Sequence, residues 1–387
     1  MDLTLSTVGL YRIHHPVHLT DDELLEKLQE KFTDADLSSY QVHQKSWAAP
    51  AGRLHSALMM RVMDHRVLTF LHRKKELSAG LVKAMTDARV QEFEDRHSKV
   101  ASSQTRSDIR DQVKQELLPT TPVTEKRITV WWDTRDNLVG VGAGSEKVRL
   151  DVLDFLRETL DGLSVAPVKT THEPTSLLTA WVRYPDRLEW ATPTRSVVFS
   201  STGAYATRFT GSKVDLTSEE VAGMLDHYYE VTKLSLETHD ETKFSVDHNL
   251  VISGLAFHSE VMHGVESAND GDPLSRFQAM FSLYAYTLRD LTTRMFREMG
   301  GEISTPEDDP ALIKQRRAEA KEEKARLKEE AKAEKARLKA EAREEKARLK
   351  AEAREEKARI RAEAKEEKAR LRAEARDEEQ LTLDLLA

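Results

Sequence analysis

The segment Lys213–Glu237, KVDLTSEEVAGMLDHYYEVTKLSLE, carries the pattern that decides the fold class. Thr217, with Glu220 three residues later, matches a capping box and predicts a helix over Leu216–His227. The stretch Glu230–Glu237 that follows alternates apolar and polar residues, which is typical of a strand. A single helix therefore lies within a part of the chain that is otherwise rich in strands.

Strands and helices follow one another irregularly through the rest of the body. Further strands are predicted at Leu5–Ile13, Ser196–Ser200, Tyr205–Phe209, Lys243–Asp247 and Leu250–Phe257, with hairpins at Ala57–Met63/Val67–His72 and Arg127–Asp133/Asn137–Val141. Further helices are predicted at Thr20–Phe32, Ser78–His97, Ser103–Leu118, Ser145–Leu160, Pro174–Tyr184 and Pro273–Met299. Because the two kinds of element do not alternate strictly, we expect an α+β fold with mixed or antiparallel sheets, not a doubly wound parallel sheet.

The composition of the 387-residue chain excludes several classes of protein. There is no cysteine, which excludes disulfide frameworks, cysteine-ligated zinc, iron–sulfur clusters and thiol catalysis. No apolar run of about 18 residues is present, so we expect no membrane-spanning segment. The N-terminus lacks the basic and apolar regions of a secretory signal, and we therefore expect a cytoplasmic location.

Charge is distributed unevenly along the chain. Residues 310–387 hold 24 Lys+Arg and 20 Asp+Glu, which leaves 35 and 47, a net charge of -12, for residues 1–309. An acidic body disfavours a uniformly basic nucleic-acid binder but is compatible with a local basic surface. We divide the chain into a body at residues 1–303, a linker at 304–312, a charged segment at 313–379 and a distinct end at 380–387.

An eleven-residue repeat fills the charged segment. Each repeat consists of strong helix formers, with acidic and basic residues four apart and one large apolar residue. A coiled coil is one interpretation, but so little apolar surface favours a single solvated α-helix. The end of the chain is different: Gln380, Leu381, Leu383 and Leu385 are similar to the bacterial sliding-clamp-binding peptide Gln-Leu-x-Leu-x-Leu. They predict a docking peptide, with a frayed helix end as the alternative.

Three patterns in the body bear on catalysis or metal binding. Gly140–Lys147 lies between a predicted strand and a helix but matches neither phosphate-loop consensus, and a glycine turn into a serine-capped helix explains it. His14–His18 holds three imidazoles without an acidic ligand at a defined spacing. Asp186, Glu241 and Lys243 loosely match the two carboxylates and lysine of a Mg²⁺ nuclease. We predict no catalytic or metal-binding residue from these patterns.

Basic residues give a clearer indication of a partner. One group follows a predicted strand, a second lies on either side of a Thr-Gly-Ser loop, and one residue lies on a later strand. The candidates for DNA binding are Arg73, Lys74, Lys75, Arg208, Lys213 and Lys233. Lysine and arginine near Ser, Thr and backbone N–H groups are typical of phosphate contacts that read no base sequence. Ordinary solvated surface charge is the alternative for each of them.

An ordered set of motifs over residues 1–303 resembles the recombination-associated RdgC family. The motifs are Trp47 with Pro50 and Gly52, Arg73-Lys74, Leu117–Pro119, Trp131–Thr134 with Asn137-Leu138, Trp181–Arg183, Lys213–Glu220, Val231–Leu236 and Glu298–Glu302. The resemblance implies a homodimer closed into a ring around double-stranded DNA, bound without sequence preference. It also implies that the protein limits access of RecA recombinase to DNA in the nucleoid, with no catalysis and no cofactor.

The resemblance assigns roles to few individual residues. Lys213 falls on a basic position of the family, so a phosphate contact is implied for it. Val214 stands where the family usually has a polar amide, and residues 120–127 lack the aromatic residues found at a ring contact. The family pattern does not include the charged tail. Two other functions stay open: a Mg²⁺-dependent DNA nuclease, and a structural adaptor that acts through the C-terminal helix.

Overall fold

The computed structural model describes residue 3 and residues 5–14, 19–201, 207–268 and 272–303, all within the compact unit Met1–Asp308. The predicted linker at 304–312, the helix at 313–379 and the docking residues Gln380, Leu381, Leu383 and Leu385 lie outside the described residues. So do His15, His18 and Tyr205. No helix in the part that is described is long and apolar enough to cross a membrane.

The described residues form twelve strands and eight α-helices, which confirms the α+β prediction. The strands are β1 Thr7–Ile13, β2 His43–Ala48, β3 Met59–Val62, β4 His65–Lys75, β5 Val123–Asp133, β6 Leu138–Val141, β7 Val165–Pro167, β8 Ala191–Ser201, β9 Arg208–Ser212, β10 Tyr229–Thr238, β11 Lys243–Asp247 and β12 Ile252–Ala256. The helices are α1 Asp21–Glu30, α2 Ala79–His97, α3 Ser103–Leu117, α4 Glu146–Thr159, α5 Pro174–Arg183, α6 Glu219–Asp226, α7 Ser259–Ala268 and α8 Pro273–Glu298.

Strand β1 joins two antiparallel halves of one sheet. The strand order is β2-β4-β5-β6-β1-β12-β11-β10-β8-β9, with β3 paired to β4 and β7 paired to β1. Thr7 and Val8 pair with β12, whereas residues from Gly9 to Arg12 pair with β6. Because one strand belongs to both ladders, the two halves of the sheet are covalently continuous through β1.

Two hydrophobic cores lie on the sheet. The first core packs α5, α6 and α8 against β8 and β10–β12 and extends to residues of β1 and β3–β6, whereas the second packs α1 and α4 against β2–β6. The neighbouring residues Trp131 and Trp132 on β5 enter different cores, because successive side chains of a strand point to opposite faces. Both indoles are almost fully buried. The half-sheet β2–β6 is therefore covered on both sides at this position.

Local sequence signals explain most of the helix starts. Thr20 caps α1 in a complete capping box with Glu23, as predicted. The prediction that Thr217 caps α6 is wrong: Ser218 is the cap, and the helix begins at Glu219. The Thr217 hydroxyl instead donates to an Asp215 carboxylate oxygen at 2.7 Å. The Thr217 hydroxyl is therefore engaged in a local turn with Asp215 and does not cap the helix.

A buried ionic cluster fastens α8 to the sheet. Arg289 on α8 donates to both carboxylate oxygens of Asp133, at 2.5 and 2.7 Å, and the Asp133 side chain is fully buried. His65 is also fully buried, with its Nδ1 3.7 Å from Asp133 and accepting from the Trp131 indole N–H at 3.2 Å. Burial lowers the pKa of His65, which keeps its imidazole neutral at pH 7. Its buried part therefore holds one positive and one negative charge, and the more exposed carboxylates of Asp64 and Asp136 lie 3.7 and 3.9 Å from Arg289.

Candidate nucleic-acid interface

The sheet β8–β12 has one covered face and one open face. Val197, Phe199, Leu234 and Leu236 point into the first core under α5, α6 and α8. The side chains that alternate with them project from the other face, which we call the open face. Apart from glycine, alanine and proline, the residues of the open face are mainly Ser, Thr, Lys and Arg.

Cross-strand pairs order the polar side chains of the open face. Lys233, Ser235 and Glu237 on β10 lie opposite Asp247, Ser245 and Lys243 on β11. The hydroxyl groups of Ser235 and Ser245 are 2.7 Å apart. On β9, Arg208 and Ser212 lie opposite Ser200 and Ser196 of β8. Directly opposed residues project to the same side, so the structure places Arg208 and Lys233 on one face.

A groove of about 880 Å³ runs across this face. It is lined by residues from all five strands and by Lys213, which directly follows β9. The lining includes the cations Arg195, Lys213 and Lys243, together with several hydroxyl groups. Such a combination offers charge and short hydrogen-bond donors together, which suits a phosphate backbone.

Four cations of the open face form no ion pair with any described residue. Among the residues that the structure describes, no carboxylate lies within ion-pair distance of Arg195, Arg208, Lys213 or Lys233. Lys243 differs, because it pairs with Glu237 at 3.4 Å. Surface cations without a carboxylate partner keep their charge available for an anionic ligand. The open face is therefore locally basic although the body as a whole is acidic.

The backbone around Lys213 fixes the direction of its side chain. Lys213 has a φ of 58°, a left-handed conformation that turns the chain sharply after β9. The next amide N–H, from Val214, donates to the Arg195 carbonyl at 3.0 Å. The Val214 side chain packs against the first core, and a Cβ placed on Gly211 would come within 2.7 Å of it. The apolar residue at this position thus anchors the turn that presents Lys213.

The other predicted basic residues lie elsewhere and are already engaged. Arg73 pairs with Glu125 at 2.7 Å, and Lys74 forms an ion pair with Glu76. Lys75 is buried, and its ammonium group donates to two backbone carbonyls at 2.7 and 3.1 Å. All three lie on β4, which is near the opposite end of the strand order from β9. The structure does not bring them together with Lys213.

The remaining sequence patterns have structural explanations. The Gly140–Lys147 segment runs from β6 into α4, and its carbonyls at Ala143 and Gly144 accept bonds from Arg149. Among the nuclease candidates, Glu241 pairs with His258 at 3.0 Å, and Lys243 pairs with Glu237. In the described ranges no three His, Asp or Glu side chains converge as metal ligands.

Sequence reasoning missed two features of the open face. Arg195 was not a candidate, and Lys243 was considered only as part of a nuclease. The signal was present: Lys233–Glu237 and Lys243–Asp247 both alternate a polar residue with an apolar one, in the order Lys-apolar-Ser-apolar-acid. That alternation predicts strands with one buried and one polar face. Because β10 and β11 pair with each other, the polar residues of both strands lie on the same face.

Comparison with known proteins places the chain in a family. A family model described as "Putative exonuclease, RdgC" matches residues 5–302. Similar curated proteins, each named recombination-associated protein RdgC, come from Actinobacillus pleuropneumoniae serotype 3 (28% identical over 299 residues), Haemophilus influenzae strain PittGG (27% over 296) and Aeromonas hydrophila (25% over 294). Each alignment covers 76% of this chain and 96% of the relative. Over residues 5–302 the chain belongs to the RdgC family.

Proposed function

We propose that the chain binds double-stranded DNA without sequence preference through the open face of β8–β12. The observation that carries the proposal is the group of unpaired cations Arg195, Arg208, Lys213 and Lys233 beside rows of hydroxyl groups. Cations that neutralise phosphates release condensed counterions, and hydroxyl groups add hydrogen bonds to phosphate oxygens. The face has little that could distinguish one base from another, since its polar groups are short or flexible.

A salt titration of duplex binding tests this proposal. The full chain is titrated with a fluorescent duplex at several NaCl concentrations, and the slope of log K against log salt is measured. The slope is negative, and each lost phosphate contact makes it shallower by about 0.9. A triple variant Arg208→Ala, Lys213→Ala, Lys233→Ala should therefore have a slope shallower by about 2.7 for each subunit that contacts DNA. Each protein should bind duplexes of unrelated sequence with the same affinity.

A charge-matched control separates the open face from net charge. Lys27, Lys31 and Lys147 lie on or beside α1 and α4, the two helices that cover the second core, and none of the three is buried. The triple variant in which these are alanine changes the net charge by the same amount. It should keep the wild-type slope. Equal slopes for the wild type and both triple variants would mean that DNA binds elsewhere, and no measurable binding by the wild type would refute the proposal.

We propose further that two copies close into a ring around DNA and thereby limit access of RecA recombinase. The support is the family membership and the recombination-associated names of the relatives. Enclosure slows dissociation from a closed circle, which offers no end, compared with a short linear duplex. Sedimentation should give a dimer, and the dimer should slow RecA filament assembly on circles. Equal dissociation rates from circles and linear pieces would contradict enclosure.

For the C-terminal residues Gln380, Leu381, Leu383 and Leu385 we propose docking to a sliding clamp. The support is the sequence similarity to the clamp-binding peptide. The preceding charged segment would then act as a spacer that raises the concentration of the DNA-binding body near the clamp. Deletion of residues 380–387 should abolish clamp pull-down without changing DNA affinity. Unchanged pull-down by the shortened chain would refute this role.

A DNA exonuclease is the second candidate function, because the description of the matching family model names that activity. The residues to test are Asp186, Glu241 and Lys243. Mg²⁺-dependent shortening of a linear duplex, lost in Glu241→Ala, would favour the nuclease over the binding protein. Glu260→Ala, which changes a carboxylate on α7, is the matched control. If the body neither binds nor degrades DNA, the adaptor function of the C-terminal segment is favoured.

A further inference from the structure

A second pocket lies at the junction of the two half-sheets, away from the open face. It has a volume of about 390 Å³ and is bounded by β1, the first turns of α4 and α5, the segment after β7 and the β11–β12 turn. Its apolar lining includes Leu150, Val168 and Ile303, while Leu10 and Leu250 border the pocket but have side chains buried in the first core. Tyr11 and Arg149 contribute polar groups to the same wall.

Arg149 is a buried cation whose hydrogen bonds to described residues all go to neutral oxygens. The residue is 5% exposed. Its Nε donates to the Tyr11 hydroxyl oxygen at 2.9 Å, and its Nη1 donates to the carbonyls of Ala143 and Gly144 at 3.0 and 2.8 Å. Gly9 makes room for this arrangement, because a Cβ there would lie 2.3 Å from the Arg149 Cδ. The fold therefore places the guanidinium group closely against β1.

The guanidinium group lacks the counter-ion that a buried charge normally has. In the described ranges no carboxylate lies within ion-pair distance of Arg149, and its Nη2 donates to no described residue. Arg149 lines the pocket, and Nη2 is not one of the buried nitrogens that lack a partner, so Nη2 is open to the pocket and can be reached from it. An anion at Nη2 would supply the missing partner.

The Tyr11 hydroxyl is a second donor beside Nη2. Its oxygen accepts from Nε, and no described residue accepts its proton. Nε and Nη2 share one edge of the planar guanidinium group, so the hydroxyl oxygen lies beside Nη2 and can turn its proton toward a ligand there. Burial raises the pKa of Tyr11 despite the nearby guanidinium, so the hydroxyl keeps its proton at neutral pH. Two adjacent donors without acceptors match the two oxygens of a carboxylate.

We propose that this pocket binds a small organic monocarboxylate. The carboxylate lies against Nη2 of Arg149 and the hydroxyl of Tyr11, and the hydrocarbon part lies on the apolar wall. Glu146 and Glu173 are exposed and also line the pocket, together with Lys169, and the two carboxylates disfavour a ligand with several negative charges. A single DNA phosphate or inorganic phosphate therefore fits the site less well than a monocarboxylate.

Ligand titration of the full chain tests the site. Butyrate, hexanoate and benzoate are titrated into the protein, with 1-butanol as a neutral match and inorganic phosphate as a second anion. Binding is followed by ligand-observed NMR and by the rise in Tm. We expect saturable binding of the carboxylates, strongest for those with the larger apolar part, and little binding of butanol or phosphate. Phosphate binding equal to or tighter than that of the carboxylates would contradict the assignment.

Two variants separate a ligand site from a structural brace. Tyr11→Phe removes one donor and keeps the ring, so the Kd for benzoate should rise about tenfold. Tyr40→Phe, at a residue that is 72% exposed, should change nothing. Arg149→Lys keeps the positive charge but loses the planar guanidinium group with its paired N–H donors, and it should also weaken binding. If the folded wild type shows no saturable binding, or Tyr11→Phe binds as the wild type does, Arg149 serves only to brace the loop before α4.

Discussion

The ion pair between Arg289 and Asp133 makes the strongest prediction about what holds the fold together. Arg289→Met keeps most of the side-chain volume and removes the charge. The Asp133 carboxylate, which is fully buried, then loses both bonds from α8. It keeps only the backbone N–H groups of Arg135 and Asp136, at 3.0 and 3.1 Å.

The size of the effect follows from burial. Removing one partner of a buried pair leaves an uncompensated charge and costs about 3–5 kcal/mol. Arg294, on the same helix, pairs with Asp290 at the surface, with both side chains more than 40% exposed. Arg294→Met is therefore the matched control, and it should cost about 0.5 kcal/mol or less. Combining Arg289→Met with Asp133→Asn should recover part of the loss, because no buried charge then remains.

The pH dependence provides an independent check. Burial alone would raise the pKa of Asp133, but the hydrogen bonds from Arg289 and from the Asp136 N–H, with the charge of Arg289, hold it below its ordinary value. In the wild type this stabilisation is present above the ordinary carboxyl pKa and is lost as the pH falls through the folded value. In Arg289→Met burial dominates and protonation relieves the penalty. The difference in stability between the two proteins should therefore shrink between pH 7 and pH 4.

Urea unfolding followed by tryptophan fluorescence measures these differences. All five tryptophans are buried, and the Trp131 indole contacts the His65 of the cluster. The midpoints are compared at pH 7 and pH 4 for the wild type and the three variants. If Arg289→Met unfolds within about 0.5 kcal/mol of the wild type at pH 7, like the surface control, the reasoning from burial is refuted.

Three further substitutions test other contacts by the same unfolding assay. Gly9→Ala forces a methyl group toward Arg149 and should cost about 1–3 kcal/mol; an unchanged midpoint would show that the arginine moves freely. Lys75→Met removes a buried ammonium bound to two carbonyls and should cost about 1–3 kcal/mol without changing DNA affinity, whereas weaker DNA binding by a folded variant would restore Lys75 to the interface. Trp47→Phe loses the indole bond to Thr159 at 2.9 Å and should cost about 1 kcal/mol or more, and no loss would mean that water replaces the indole.

The elements that the sequence predicts well have strong local signals. The capped helices α1, α2 and α3 and the hairpin β3–β4 occur close to the predicted positions, and so does α4, although the predicted cap Ser145 makes no side-chain hydrogen bond there. Strand β7 has only three residues, and β2 has no alternation because burial rises along it from His43 to Ala48, so neither has a detectable periodic pattern. Helix α6 begins later than predicted because Asp215 uses the Thr217 hydroxyl in a local turn. Local competition of this kind depends on backbone geometry that spacing alone does not contain.

The candidate interface was predictable only in part. The alternation in β10 and β11 predicts a polar face, and Arg208, Lys213 and Lys233 were found as candidates. Whether a cation is engaged in an ion pair or hydrogen bond within the protein depends on partners that are far away in the sequence. Arg73 pairs with a residue 52 positions away, and Lys75 donates to carbonyls 36 and 37 positions away. Such partners are set by the strand order, which the sequence pattern does not reveal.

Lysine footprinting tests the proposed DNA interface most directly. The full chain is acetylated briefly, with and without saturating duplex, and each lysine is quantified by mass spectrometry. We expect protection of Lys213 and Lys233 by DNA, no change at Lys31 and Lys147, and little modification of the buried Lys75 in either state. Equal modification of Lys213 and Lys233 with and without bound DNA would contradict the claim that the open face holds the duplex.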